Sequence, residues 1–125
     1  MICYLGLGSN DGDRELHLQN ALNYLAGICR EVYPSTPYAS PALKGNDYEF
    51  KRHYLNCVAM IEYSGEISEL DRLLKAFEIR EGRDEKSRIE GRVPIDIDIV
   101  IADGNILRPK DFSCYFFRRG YEELR

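Results

Sequence analysis

The sequence predicts an α+β sandwich, an antiparallel sheet with helices packed on one face. Three observations predict it. Short apolar runs bounded by Gly and Pro recur along the chain and read as strands. Two stretches repeat their apolar residues at helical spacing. The segments follow one another as strand, helix, strand, strand, helix, strand, the β-α-β-β-α-β order of ferredoxin-like folds.

The elements are justified in chain order. Residues 1–7 are apolar and end at glycine, so they read as a buried strand. Gly8-Ser9-Asn10-Asp11-Gly12-Asp13 reads as a turn, with Asp13 placed to cap the next helix. Leu18, Ala21, Leu22 and Leu25 form one helical face, and Gly27 is the expected stop. Residues 28–38 read as a strand bent or edged by Pro34 and Pro37. Residues 38–52 read as a long loop with Pro41 and Gly45-Asn46-Asp47, and such loops are often functional. Residues 54–63 alternate as a strand, with Leu55, Cys57, Ala59 and Ile61 on one face and Tyr54, Asn56, Val58 and Met60 on the other. Ile67, Leu70, Leu74 and Phe77 stripe a second helix that stops at Gly82. Residues 82–92 read as a polar, Arg-rich loop. A strand follows, then a turn at Asp103-Gly104-Asn105, a short strand at Ile106-Leu107, and a helix within residues 112–124.

At 125 residues the chain is expected to form one domain, residues 1–125, with room for a core. Its 44% hydrophobic and 30% charged content is that of a soluble globular protein. A net charge of −4 argues against a general nucleic-acid binder. Basic residues nevertheless crowd together at Arg80, Arg83, Lys86, Arg88 and Arg92, then at Arg108, Arg118 and Arg119, which suggests a local anion site. Cys3, Cys29, Cys57 and Cys114 contain no C-x-x-C pair, and His17 and His53 are the only histidines, so no zinc site is expected. No secretory signal opens the chain and no apolar run approaches membrane-spanning length. A cytoplasmic protein with reduced thiols, no membrane association and a monomeric state is the expectation.

The most informative stretch is Pro94-Ile95-Asp96-Ile97-Asp98-Ile99. Strand alternation sends Ile95, Ile97 and Ile99 to a core and Asp96 and Asp98 to the opposite face, about 7 Å apart. Like charges this close repel, and Asp is a poor strand former. Paired hard oxygens suit Mg²⁺ shared with substrate phosphates. The alternative is the solvated face of an edge strand. Arg83, Arg88 and Arg92 beside that strand supply the cationic clamps that phosphoryl transfer needs, unless the loop is a mixed-charge solvated one. Gly6-Leu7-Gly8 is neither a dinucleotide fingerprint nor a Walker A loop and reads as turn chemistry. Tyr54 and Asn56 share a face that could stack on a flat ring and read an amide-like edge, or could be an ordinary cross-strand pair.

Tyr4-Leu5-Gly6-Leu7-Gly8-Ser9-Asn10 with Gly12-Asp13-Arg14, Tyr54-Leu55-Asn56, Glu78 with Gly82-Arg83, and Ile95-Asp96-Ile97-Asp98-Ile99 together resemble the 6-hydroxymethyl-7,8-dihydropterin pyrophosphokinases of folate synthesis. The resemblance runs to about Gly104 and returns at Arg119-Gly120-Tyr121. It implies a ferredoxin-like fold and transfer of pyrophosphate from ATP to the pterin hydroxymethyl group, releasing AMP, with two Mg²⁺. By position it implies metal binding by Asp96 and Asp98, and a pterin pocket of Ser40, Pro41, Leu43, Tyr54, Asn56 and Tyr121. It further implies nucleotide contacts from Glu78, Arg83, Ile99, Arg108 and Arg119, with Arg83 in a catalytic loop that closes on the phosphates; the Arg-rich stretch itself adds Arg88 as an ATP-binding residue and Arg92 beside Arg83 in stabilising phosphate charge. The sequence departs from the family pattern in several places. Arg92 sits one residue early and Val93 takes the arginine's place, while Lys75 stands for a common Gln. Ser113-Cys114 replaces a His-Tyr pair, the loop lacks its Trp, and the sequence ends soon after Tyr121, short of the family's C-terminal segment. Two other readings stay open at this point: a weakened relative that binds nucleotide or a pterin-like ring without transfer, and a ferredoxin-like interaction domain.

Overall fold

The structure, a computed structural model, describes residues 1–40 and 53–125. Pro41, Leu43 and most of the expected long loop lie outside the described residues. β1 (Ile2–Ser9) is the central strand, antiparallel to β4 (Tyr54–Glu62) on one side and to β5 (Asp96–Ala102) on the other. β2 (Glu31–Pro34) and β3 (Tyr38–Ser40) lie end to end along the outer edge of β4, and β6 (Asn105–Ile106) closes the far edge beside β5. The expected single strand over residues 28–38 is thus two. Pro34 and Pro37 withhold ladder donors there, and Ser35 carries the pairing across the gap. Its N–H donates to the Val58 carbonyl at 2.7 Å, and its hydroxyl accepts the Val58 N–H at 2.9 Å.

α1 (Arg14–Ile28) and α2 (Ile67–Arg80) cover one face of the sheet, as the ferredoxin-like order requires. The Asp13 carboxylate accepts the Leu16 N–H at 3.1 Å and caps α1. The helix runs through Gly27 and ends at Cys29, where the backbone turns extended. The core on this face joins Leu5, Leu7, Leu25, Ile61, Leu74 and Ile97 from both layers. Between them α2 and β5 lies α3 (Glu85–Ile89), in the stretch read as loop. A reciprocal cap makes it: Asp84 accepts the Ser87 N–H, and the Ser87 hydroxyl accepts the Asp84 N–H.

The opposite face carries a second, smaller core under α4 (Pro109–Ser113) and α5 (Tyr115–Leu124). Phe117 of α5 is fully buried against Val58 and Val100. A register shift between Tyr4 and Leu5 leaves Val100 unopposed, so that Val100 and Ile101 both serve this second core. α5 therefore covers only part of its face, and the rest is the floor of the cavity described next.

Candidate active site

In the sheet register Gly8 lies between Asn56 of β4 and Asp96 of β5, and Gly6 lies between Val58 and Asp98. Two strand positions without side chains leave a trough along the middle strand, with carboxylates on one bank and Asn56 on the other. The glycines of Gly6-Leu7-Gly8 are thus floor residues within β1, not turn residues. Above them is a cavity of about 380 Å³ walled by Tyr54, Ser40 and Asn56 on one side and by Asp96 and Asp98 on the other, with Phe116 also in its lining. That volume matches a small-molecule site.

Each carboxylate on the bank has a cation. Arg83 Nη1 donates to Asp96 Oδ1 at 2.8 Å and to Glu78 Oε1 at 2.9 Å. Lys75 Nζ lies 3.4 Å from Asp98 Oδ1, and Arg108 Nη1 lies 3.9 Å from the same atom. Glu78, 4% exposed, is not a wall residue but a bracket: its Oε2 accepts the Ile97 N–H at 2.8 Å, between the two aspartates. Burial raises the Glu78 carboxyl, with the Ile97 N–H and Lys75 pulling against that rise. Burial, with the Asp96 charge beside it, pushes the Asp98 carboxyl up to about 7. Burial alone would lower the Lys75 ammonium, but the carboxylates of Glu78, Asp98 and Asp96 raise it.

Local chain chemistry places these groups. Gly82, at φ +114°, ends α2: its N–H bonds the Ile79 carbonyl and the Arg83 N–H bonds the Glu78 carbonyl, the double bond of a Schellman turn. That turn sends Arg83 back beneath Glu78 toward Asp96. Asn10, 6% exposed, fastens the return of the Arg-rich stretch to β1. Its amide donates to the Gly91 carbonyl at 3.1 Å and its Oδ1 accepts the Val93 N–H at 2.6 Å. Asn56 spends its Nδ2 hydrogens on Ser40 Oγ at 2.7 Å and the Tyr38 carbonyl at 3.3 Å. Its carbonyl oxygen is then the group it offers to the trough.

Several expected site residues stand elsewhere. Arg92 turns to Asp11 at 3.2 Å and Glu90 at 2.6 Å. It lines, with Lys75, Arg83 and Arg88, an adjoining basin of about 360 Å³ rather than the main cavity. Arg88 is exposed and paired with Glu85. Tyr121 is packed in the second core, edge-on to Tyr4 and stacked on Phe117, and does not wall the cavity. Phe116 is the α5 aromatic that does. The Ile99 side chain is 7% exposed and faces the first core. Arg108 stays at the Asp98 end of the bank, where it also pairs with Asp111 at 2.5 Å, whereas Arg119 is exposed over the Tyr38 ring. Phe116, Asp111, Val93 and the two glycines were missed in the sequence. Only the Gly-x-Gly alternation within a strand carried a signal for any of them. Ser113 spends its hydroxyl on the carbonyls of Pro109 and Lys110.

Among the described residues no cluster of three or more His, Cys, Asp or Glu could hold a metal alone. Asp96 and Asp98 fit Mg²⁺ in its other mode, in which one or two carboxylates are completed by phosphate and water. No helix among the described residues is long and apolar enough to cross a membrane.

Comparison with known proteins bears on what this cavity takes. The family model for 7,8-dihydro-6-hydroxymethylpterin-pyrophosphokinase matches residues 4–119. A protein of Aquifex aeolicus (strain VF5) named 2-amino-4-hydroxy-6-hydroxymethyldihydropteridine pyrophosphokinase is 35% identical over 107 residues. The match covers 86% of this chain and 64% of that relative, so the chain spans less than two thirds of the relative's length.

Proposed function

The chain belongs to the 7,8-dihydro-6-hydroxymethylpterin-pyrophosphokinase family, and on that premise we propose that it transfers pyrophosphate from ATP to the hydroxymethyl group of 6-hydroxymethyl-7,8-dihydropterin in folate synthesis. The observation that carries the reading is the glycine-floored trough with Asp96 and Asp98 on one bank and Asn56 on the other. A flat bicycle lies over Gly6 and Gly8 between the Tyr54 and Phe116 rings. The Asn56 carbonyl accepts an N–H from its edge, which specifies an amino-pyrimidine over a plain arene. The hydroxymethyl oxygen then points toward the aspartate bank.

Asp96 and Asp98 would hold two Mg²⁺, which supply neutralisation of the polyphosphate and fix its orientation when bound. Arg83, kept at the cavity edge by Glu78, is placed to meet charge on the transferring group. Lys75, Arg88 and Arg92 line the neighbouring basin and supply its positive potential to a nucleotide's phosphates. Arg108 stands at the Asp98 end of the same bank. The bond from the hydroxymethyl oxygen to the β-phosphorus forms as the bond from that phosphorus to the AMP oxygen breaks, and the hydroxyl proton is released to solvent. Charge stabilisation and alignment are the protein's share of such a transfer.

AMP formation from ATP, Mg²⁺ and the dihydropterin tests the proposal. Asp96→Ala should lower turnover about a hundredfold or more while leaving the circular dichroism unchanged. AMP formation that ignores the substitution would remove Asp96 from the reaction. A second reading, binding without transfer, is favoured by Ser113, whose hydroxyl is turned to helix carbonyls rather than to the cavity. Calorimetric binding of both ligands with no AMP formed would establish that reading instead.

A further inference from the structure

The ammonium of Lys75 has an unusual seat. It lies 3.2 Å from Glu78 Oε2, 3.2 Å from the Ile97 carbonyl oxygen and 3.4 Å from Asp98 Oδ1. An ammonium has three donors and no acceptor, and here each donor has its own oxygen. The three oxygens come from the bracket carboxylate, the β5 backbone and the aspartate bank. They form a pocket of hard oxygen atoms filled by the protein's own positive charge. The two carboxylates of the seat are largely shielded from water, with Glu78 and Asp98 side chains 6% and 19% exposed, while the Lys75 side chain is 43% exposed. The three carboxyl groups of Asp96, Asp98 and Glu78 stand in contact with three cations, Lys75, Arg83 and Arg108.

We propose that Lys75 is a positioning residue that acts as a resident cation. It holds one oxygen of Asp98 and offsets the charge of the aspartate bank, so that a free divalent cation binds weakly and is held firmly only together with an anionic ligand. The inference rests on the metal-binding reading of Asp96 and Asp98 given above. An anionic ligand restores what Lys75 cancels: phosphate oxygens bring negative charge to the bank, and Lys75, Arg83, Arg88 and Arg92 line the adjoining basin beside it. Lys75 itself lines both the bank and that basin, so its charge is felt by metal and polyphosphate alike. A neutral side chain at this position would leave Glu78 and Asp98 facing each other across an empty oxygen seat, which attracts a divalent ion.

Mn²⁺ is the probe, measured by electron paramagnetic resonance of the free ion on the full chain. Measurements are made with and without a non-hydrolysable ATP analogue. Without nucleotide, Lys75→Gln should bind Mn²⁺ about tenfold more tightly than the wild type, the effect of one unit charge beside a divalent ion even when well screened. Lys75→Arg should stay near the wild type, because it keeps the charge. Adding Asp98→Asn to Lys75→Gln should abolish the gain. Lys75→Met, which keeps the packed stem, is measured alongside so that a folding defect in one variant does not decide the result. Equal Mn²⁺ affinity in wild type, Gln and Met variants would overturn the proposal, as would an Arg variant that binds as tightly as the Gln one. Absence of Mn²⁺ binding in every protein, with the nucleotide analogue present, would instead overturn the metal reading of the aspartates themselves.

Discussion

Gly8 acts through the side chain it lacks. A Cβ there would stand 3.3 Å from both Asn56 Oδ1 and Tyr54 Cδ1, on the floor where a ring would lie. Gly8→Val should keep the strand, since a branched residue suits a sheet, and should weaken pterin binding about tenfold or more by filling the trough. Calorimetry with the dihydropterin checks this, and unchanged affinity would move the ring off the glycine floor. Asp98 makes a different kind of prediction. Its carboxyl is pushed up to about 7 by burial and by Asp96, despite the cations beside it. An acid whose folded value lies above its unfolded one, about 3.9, keeps its proton in the fold when the unfolded chain has lost it. Stability therefore falls as pH rises from about 4 to about 7, and is flat above that range. Asp98→Asn should melt with the wild type near pH 4 and several degrees above it near pH 8 in metal-free, ligand-free buffer. Parallel melting curves at both pH values would show that the carboxyl is not the strained group.

At the scale of elements, α5 is the piece that turns an ordinary sheet face into a walled site, and two contacts dock it. The buried Tyr38 hydroxyl donates to the Phe116 carbonyl and accepts the Gly120 N–H at 3.2 Å, bridging two positions of the helix from the sheet edge. At Gly120 an added Cβ would stand 2.6 Å from Val58 Cγ2 and 2.9 Å from Ser35 Oγ. Tyr38→Phe should cost about 0.5–1.5 kcal/mol by removing the hydroxyl's two hydrogen bonds to the helix. Gly120→Ala should cost about 1–3 kcal/mol by overpacking. Both should speed amide exchange in α5 ahead of β1 and weaken ligand binding through Phe116; uniform acceleration across the sheet would mean that α5 and the sheet open as one unit. These elements also show what the sequence displayed. The strands around Leu5, Ile61 and Ile97 and the helices α1 and α2 were legible because apolar periodicity is a direct record of burial. α3 was not, because its five residues are held by the Asp84–Ser87 cap and have no apolar stripe. α5 was legible as a helix, but its face of the sheet was not: an amphipathic helix does not say which surface it will cover.

At the scale of the whole molecule, the chain is acidic at −4 overall, yet three cations, Lys75, Arg83 and Arg108, meet at the Asp96–Asp98 bank. Asp96 and Asp98 could be read from alternation alone, since strand geometry puts them side by side without knowledge of partners. The trough could not, because it depends on Gly6 and Gly8 lying opposite residues some 50 and 90 positions away in the sequence, and register is a tertiary fact. The inward turn of Tyr121 and the outward turn of Arg92 are likewise set by packing and by Asp11 and Glu90. The bank is thus a strained part of the fold, with like charges held close by β5 and compensated by Lys75, Arg83 and Arg108. Ligands that supply metal and phosphate at that place should relieve the strain, and binding to the native state alone raises stability by mass action. At a hundred times its dissociation constant a ligand contributes about 2.7 kcal/mol, which for a chain of this size is a rise in melting temperature of roughly 10 °C. A non-hydrolysable ATP analogue with Mg²⁺ and the dihydropterin should produce a shift of that order, and neither Mg²⁺ nor the nucleotide analogue alone should match it. In Asp96→Ala the shared increment should vanish while the pterin's own shift persists, because the proposed reading seats the pterin against the opposite bank. Loss of both shifts together would mean that the banks do not act as separate surfaces, and that the β5 carboxylates hold the trough in shape as well as its charge.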